Sequence, residues 1–265
     1  MRQILLNGKN SSKDKIEVTG DDFHHLYHVR RIKVGEKVKA AFDSGEIGFF
    51  EVTSVTVDSV ILEKREDNTV VQPGLFYFDD VPTGFGCEIY LLQFMPKMPR
   101  FEQILRQSTE IGVSRILPVI SRYSPPEHLS DSKRLRLRKI IKEARQQSGS
   151  IIPTSVDDGM SLATAMAIVT ERGKKYGKEN SAYFALSERG GKALHERLQQ
   201  PKKFISVAVG CEGGFADEEF NFLKENGFEA INFETNIMRV ETAAIFGLAA
   251  IQTKNLELNS ETRTN

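Results

Sequence analysis

The chain has only two cysteines in 265 residues, Cys87 and Cys211, with no metal-ligand spacing and no disulfide framework between them. It has no apolar run long enough to cross a membrane. The opening MRQILLNGKNSSKDK lacks the apolar centre of a secretion signal. Net charge is missing too, because 36 Lys and Arg balance 36 Asp and Glu. There is no internal repeat and no low-complexity run. These absences set the expectation of a cytoplasmic protein in a reducing compartment, without a metal, whose bulk charge alone draws no polyanion.

Local charge tells more. Residues 1–40 carry nine Lys and Arg against five Asp and Glu, and residues 201–265 carry six against ten. The stretch KRLRLRKIIKEAR, Lys133–Arg145, holds seven basic residues and one acid. A run of this kind is most often a solvated helix face; the other reading is a phosphate-binding surface.

Two rhythms divide the chain. Up to about residue 72 the pattern is β-rich, with alternating strands around Val38–Phe42, Glu46–Val55 and Ser59–Lys64 and a turn at Asp43, Ser44 and Gly45. Ahead of them TGDDFHHLYHVRRIKVG reads as a short capped helix followed by a basic segment. This part is expected to form a small β-barrel. Residues 73–86, with two prolines and three glycines, read as a linker that makes contacts. From Cys87 continuous apolar strands (CEIYLLQF, RILPVIS, SAYFALS, KFISVAVG, EAINF) alternate with helices, the pattern of a parallel α/β sheet covered on both faces. Its helices include one across GKALHERLQQ, one opened by Asp217 as N-cap and closed by Gly227, and a terminal one across VETAAIFGLAAIQTKN. Residues 256–265 read as a frayed tail.

Ligands of such sheets bind at the carboxyl ends of strands, which singles out the loops Leu186–Gly191, Gly210–Phe215 and Glu234–Val240. The second contains GCEGG. Its glycines permit a close backbone approach, yet the stretch is neither GxGxxG nor a GK[ST] phosphate loop. The helix that follows opens on Asp217, Glu218 and Glu219, and acids there disfavour a phosphate and suit a cationic or neutral ligand. A sulfonium cofactor such as S-adenosylmethionine fits that description, although a plain strand-to-helix turn explains the glycines equally well. In NIMRVETA, Arg239 precedes Glu241 and Thr242 at a helix start. It becomes a site only if its loop lies beside GCEGG, as loops on adjacent strands would. His24, His25 and His28 have one helical spacing among them and no completed ligand set, so packing or RNA contact is preferred to a metal.

Five blocks in order, HHLYHVRRIKVGEKV, RFEQILRQSTEIGVSRILPVISRYS, KEARQQSG, GCEGG…E…NG and INFETNIMRVETA, resemble the ribosomal RNA small subunit methyltransferase E family over nearly the whole chain. Cys211 replaces that family's usual Pro, and Phe233-Glu234 its usual Leu-Gly. The resemblance implies a SPOUT-type α/β methyltransferase with a C-terminal trefoil knot at residues 87–255, preceded by a small PUA-like β-barrel at residues 1–72. It implies a homodimer that methylates N3 of a uridine in the decoding region of 16S rRNA, with S-adenosyl-L-methionine as donor. The competing readings are methylation at another RNA site, such as a ribose 2′-O, and a non-catalytic assembly protein on the same fold.

Carried over position by position, the resemblance gives Leu186, Ser187, Gly210, Glu212, Gly213, Gly214, Phe233, Ile237, Met238, Arg239 and Thr242 as cofactor contacts. Arg239 is the candidate for stabilising the anionic uracil. Glu241 and Glu212 are candidates for the proton acceptor or for orienting Arg239. Arg30, Arg31, Lys33, Lys97, Arg100, Arg134, Arg138 and Arg145 are candidate phosphate contacts, and Gln147 or Glu110 a candidate base contact.

Overall fold

A computed structural model describes residues 2–6, 14–42, 46–65, 76–78, 81–83, 86–125 and 129–264. The expected turn at Asp43–Gly45 lies outside them, as does the stretch 66–75.

The amino-terminal part is a five-stranded sheet: β1 (Arg2–Leu6), β2 (Lys15–Thr19), β3 (Lys37–Phe42), β4 (Ile47–Val55) and β5 (Ser59–Lys64), in the order β1-β3-β4-β5-β2. Only β1 and β3 run parallel; the other neighbours are antiparallel, with a register shift between Val52 and Ser54. In β2, Ile16 and Val18 are buried while Lys15, Glu17 and Thr19 are exposed, the alternation of a half-covered strand. Between β2 and β3, helix α1 (Gly20–His24) passes directly into a π-helical turn, His25–Val29. Within the expected linker, β6 (Phe76–Phe78) pairs antiparallel with β7 (Val81–Thr83).

The second sheet has six parallel strands in the order β10-β9-β8-β12-β11-β13: β8 (Glu88–Phe94), β9 (Arg115–Val119), β10 (Ser155–Val156), β11 (Ser181–Leu186), β12 (Phe204–Val209) and β13 (Glu229–Ile231). Every residue of β8 and β12 is buried, as expected for strands covered on both faces. Ile89 and Leu91 face a core shared with α2 (Met98–Ile111), α3 (Asp131–Ser148) and α7 (Val240–Thr264). Tyr90, Leu92 and Phe94 face the opposite core with α4 (Leu162–Tyr176) and α6 (Asp217–Glu225). Local chemistry fixes the helix ends. Ser130 and Ser161 accept N-cap bonds from Lys133 and Thr164, and Gly112 closes α2 at φ +95°.

Three expectations change. The helix across GKALHERLQQ shrinks to α5 (Leu194–Arg197), because Lys192 spends its backbone on the edge of β13, donating to Ala230 O and accepting from Asn232 N. Helix α6 begins at Asp217 with Ala216 as its cap residue; Glu219 Oε2 accepts the Ala216 N–H at 2.9 Å, the carboxylate arm of a capping box. The tail is helical to Thr264. Asn255, 1 % exposed, bonds both backbone groups of Lys202, and Leu258 reaches the core, so the helix is docked well past residue 255.

The two parts touch. Gln3 Nε2 donates to Arg145 O and Ser150 O, Arg30 donates to Gln3 O and Gln146 O, and Lys142 meets Asp22 at 2.7 Å.

Candidate functional site

The carboxyl edge of the parallel sheet encloses a cavity of about 400 Å³. Strand β12 delivers GCEGG to it. The loop folds back so tightly that Cys211 and Gly214 form an isolated bridge, with Gly214 N donating to Cys211 O at 3.0 Å. A Cβ on Gly210 would lie 2.7 Å from the backbone carbon of Gly214, so only glycine fits there. Gln93, wholly buried at the end of neighbouring β8, donates to Val209 O and Gly210 O and fixes the exit of β12.

The loop after β13 supplies the facing wall with Phe233, Ile237, Met238 and Arg239. Glu234 adopts φ +48°, and its N–H is taken by Asn232 Oδ1 at 2.6 Å. This is the position where glycine is usual in the resembling family, so the Asn232 side chain supports a left-handed residue that has a Cβ. The two loops are not on adjacent strands: β11 separates β12 from β13 and adds Leu186, Ser187, Glu188 and Arg189 to the lining. Leu186 packs on α7 at Gly247, where a Cβ would meet its Cδ1, so α7 lies directly against the β11 exit.

Several carboxylates around the site are paired within the chain. Glu219 accepts from Ala216 N and Arg122 N, Glu218 pairs with Arg122 and Asp217 with Arg189. Its own backbone N–H, then Arg122, hold Glu218 below the ordinary carboxylate range. The amino end of α6, an anion site in a phosphate-binding loop, is thus filled by the chain's own acids. Glu212 turns toward α2, accepting the Lys97 N–H at 3.2 Å and pairing with Arg100 Nη1 at 3.2 Å. Arg100 Nε lies 3.9 Å from Glu241, whose Oε2 is buried without a hydrogen bond. The two glutamates therefore converge on Arg100, not on Arg239. Arg239 is exposed and has no ion pair among the described residues.

Of the cofactor candidates, Leu186, Ser187, Gly210, Glu212, Gly214, Phe233, Ile237, Met238 and Arg239 line the cavity. Gly213 faces outward against Tyr123, and Thr242 is exposed on the first turn of α7; neither belongs to the lining. Sequence reasoning held Arg189 and Phe215 within its candidate loops without naming them, and missed Asn232 and Gln93. Only Gln93 carried a signal, as a lone polar residue inside an apolar strand.

The phosphate candidates separate. Arg31, Lys33, Lys97 and Arg138 are exposed, and Arg100 lines the cavity. Arg134 pairs with Asp131 and Asp158, and Arg30 bonds His25 Nε2 and two carbonyls at the contact between the sheets. Arg145 is 5 % exposed and donates to Ile151 O, which removes it as a phosphate contact, because its position in KRLRLRKIIKEAR falls on the core-facing stripe of α3. The Arg136–Glu102 pair ties α3 to α2. Gln147 is exposed near the end of α3, eleven residues beyond Arg136, and is not part of the cavity lining. Glu110, near the end of α2, is not part of the lining either. No cluster of three or more His, Cys, Asp or Glu suited to a metal occurs among the described residues, and no helix is long and apolar enough to cross a membrane.

An RNA methyltransferase domain family model matches residues 84–252, and an RNA methyltransferase PUA domain model matches residues 18–64. Ribosomal RNA small subunit methyltransferase E 2 of Borreliella burgdorferi is 28 % identical over 255 residues, 94 % of this chain and 96 % of that protein. The Bacillus subtilis ribosomal RNA small subunit methyltransferase E is 25 % identical over 244 residues, 88 % of each chain. The crystal structure of the Neisseria gonorrhoeae ribosomal RNA small subunit methyltransferase E, bound to S-adenosyl methionine, superposes with a TM-score of 0.77 at 23 % identity, over 96 % of this chain and 97 % of that one. The SPOUT-type α/β fold behind a PUA-like sheet is therefore the architecture observed, and the chain belongs to the family of RNA methyltransferases in which a PUA domain precedes an RNA methyltransferase domain, the family of the small subunit methyltransferase E proteins.

Proposed function

We propose that the chain methylates N3 of a uridine in the decoding region of 16S rRNA within the small ribosomal subunit, with S-adenosyl-L-methionine as donor, as a cytoplasmic homodimer. The observation that carries the reading is the cavity itself. It combines a glycine turn open to close approach with a helix amino end already filled by carboxylates, which suits a cationic sulfonium and rejects a phosphate. Its size falls in the range of small-molecule sites, about 300–1,000 Å³. Leu186, Val209, Phe233, Ile237 and Met238 provide apolar walls for the adenosyl group, and the backbone of Gly210–Gly214 provides polar contacts.

When bound, the cofactor supplies an electrophilic methyl group on sulfur. Everything else falls to this chain's residues. N3 of uracil is protonated and weakly nucleophilic, so the site must accept a proton and stabilise the anion left on the ring. Arg239, exposed in the lining and without an ion pair among the described residues, is assigned to the developing charge on a uracil oxygen. Glu241, with one buried oxygen lacking a hydrogen bond, is assigned as proton acceptor. Glu212 is assigned to positioning, since it ties the glycine turn to α2 through Lys97 and Arg100. The exposed, small and apolar side of α7 around Phe246, which meets Phe233 edge to face, is the proposed dimer face.

The test is transfer of labelled methyl from S-adenosylmethionine to small subunits from a strain lacking the modification, followed by nucleoside analysis. Label in 3-methyluridine is the expected result. Label in another nucleoside moves the target, and absence of label on intact subunits favours a non-catalytic assembly role.

A further inference from the structure

The rings of Phe23–His28 have no part in the cavity. Phe23 and Tyr27, four residues apart, stack at 5.4 Å with 10° between planes; His24 and His28, also four apart, lie at 4.8 Å. Tyr27 and His28 meet edge to face at 4.9 Å. Phe23 is buried and anchors the group, while Tyr27 remains 41 % exposed and both histidines are exposed. Hydrophobic packing accounts for Phe23, but it gives no reason to leave the outer rings open to water. The backbone beneath them is unusual as well. Arg30 N donates to His25 O, the i to i+5 bond of a π-turn, a feature frequent at functional sites. Arg31 then takes φ +51°, uncommon for a residue with a side chain.

Cations flank this surface on both sides. Arg31 and Lys33 follow it in sequence and are exposed. Asp22, just before Phe23, is bonded to Lys142 of α3, and one turn back along α3 stand the exposed Arg138 and Lys139. The rings therefore lie where the basic segment of the first domain meets the basic face of α3.

We propose that Tyr27 and His28 form a stacking platform for an unpaired base of the RNA substrate, with Arg31 and Lys33 meeting the flanking phosphates. The platform rests on the reading of RNA as substrate given above. Its ligand is single-stranded RNA, because a paired base offers no free face and aromatic stacking tolerates any base. It lies in the other domain from the methyl-transfer cavity and acts on affinity.

The test uses the full chain, a ten-nucleotide oligouridylate, a duplex of equal length, and small subunits. Tyr27→Ala is expected to weaken oligouridylate binding about 5- to 100-fold, and the loss in methyl transfer falls on KM rather than kcat. Tyr27→Phe restores both, and His28→Ala repeats the weakening in smaller degree. The chain contains no tryptophan, so Tyr27→Trp gives a single reporter whose fluorescence is expected to be quenched by the oligouridylate and not by the duplex. Equal binding and equal KM for Tyr27→Ala and wild type, with wild type active, overturns the platform alone. Quenching by the duplex to the same extent also overturns it. A wild-type chain that neither binds RNA nor transfers methyl overturns the substrate reading and the platform with it.

Discussion

At the carboxyl edge of the parallel sheet Arg239 stands in solvent without an ion pair among the described residues, whereas near the amino edge Arg145 is 5 % exposed and spends its guanidinium on a backbone carbonyl. The same contrast holds for the carboxylates. Near the cavity Glu241 keeps a buried oxygen without a hydrogen bond, while at the amino edge the more deeply buried Glu88 accepts from Arg172 Nε at 2.6 Å and from Tyr176 OH at 2.9 Å. The Glu88 cluster satisfies its polar groups internally and so fixes the fold, whereas Glu241 beside the cavity is left incompletely satisfied, and a ligand completes it.

Breaking the satisfied edge gives the largest stability effect. Arg172→Ala strands Glu88 in a buried site, and a loss of about 3 kcal/mol is expected in urea unfolding, with cofactor affinity retained in the variant that remains folded. At the open edge Arg239→Ala is expected to lower kcat about 100- to 1,000-fold while the thermal midpoint stays unchanged, since nothing in the fold leans on an exposed, unpaired side chain. Normal turnover in this variant sinks the assignment of Arg239. Gly210→Ala forces a Cβ against Gly214, and S-adenosylhomocysteine binding measured by calorimetry is expected to weaken about 10- to 100-fold.

The smallest effect sharpens the comparison at the contact between the sheets. Burial first, then Arg30, hold His25 below its ordinary 6.5; Lys142 acts the same way, and Asp22 and Glu143 oppose it. The folded chain binds fewer protons there than the unfolded chain. The stability contributed is complete above pH 6.5 and is lost as the pH falls from 6.5 through the lowered folded value. The thermal midpoint is expected to decline over that window, and His25→Gln should flatten the decline; an unchanged slope removes His25 as the cause.

Legibility followed the range of the physics. Strands β3, β4, β5, β8 and β12 were readable because alternation or continuous apolarity is written residue by residue. The two-residue β10 was not readable, because its pairing with Arg115 and Ile116 decides it rather than its own pattern. The tail misled because NLELNSETRTN is polar in sum, while Leu258 alone reaches the core.

The sequence by itself determined the two-part organisation, the parallel sheet, the glycine turn and the acids that fill its helix end, because each depends on residues near one another in the chain. Tertiary structure alone decided the pairing of functions. It put β11 between the two loops of the cavity, turned Glu212 and Glu241 toward Arg100 instead of Arg239, and drew Arg145 out of a basic run into the core. Strand order and the partner of a charged side chain are set by packing between segments that are not neighbours along the chain, and no local pattern encodes that packing.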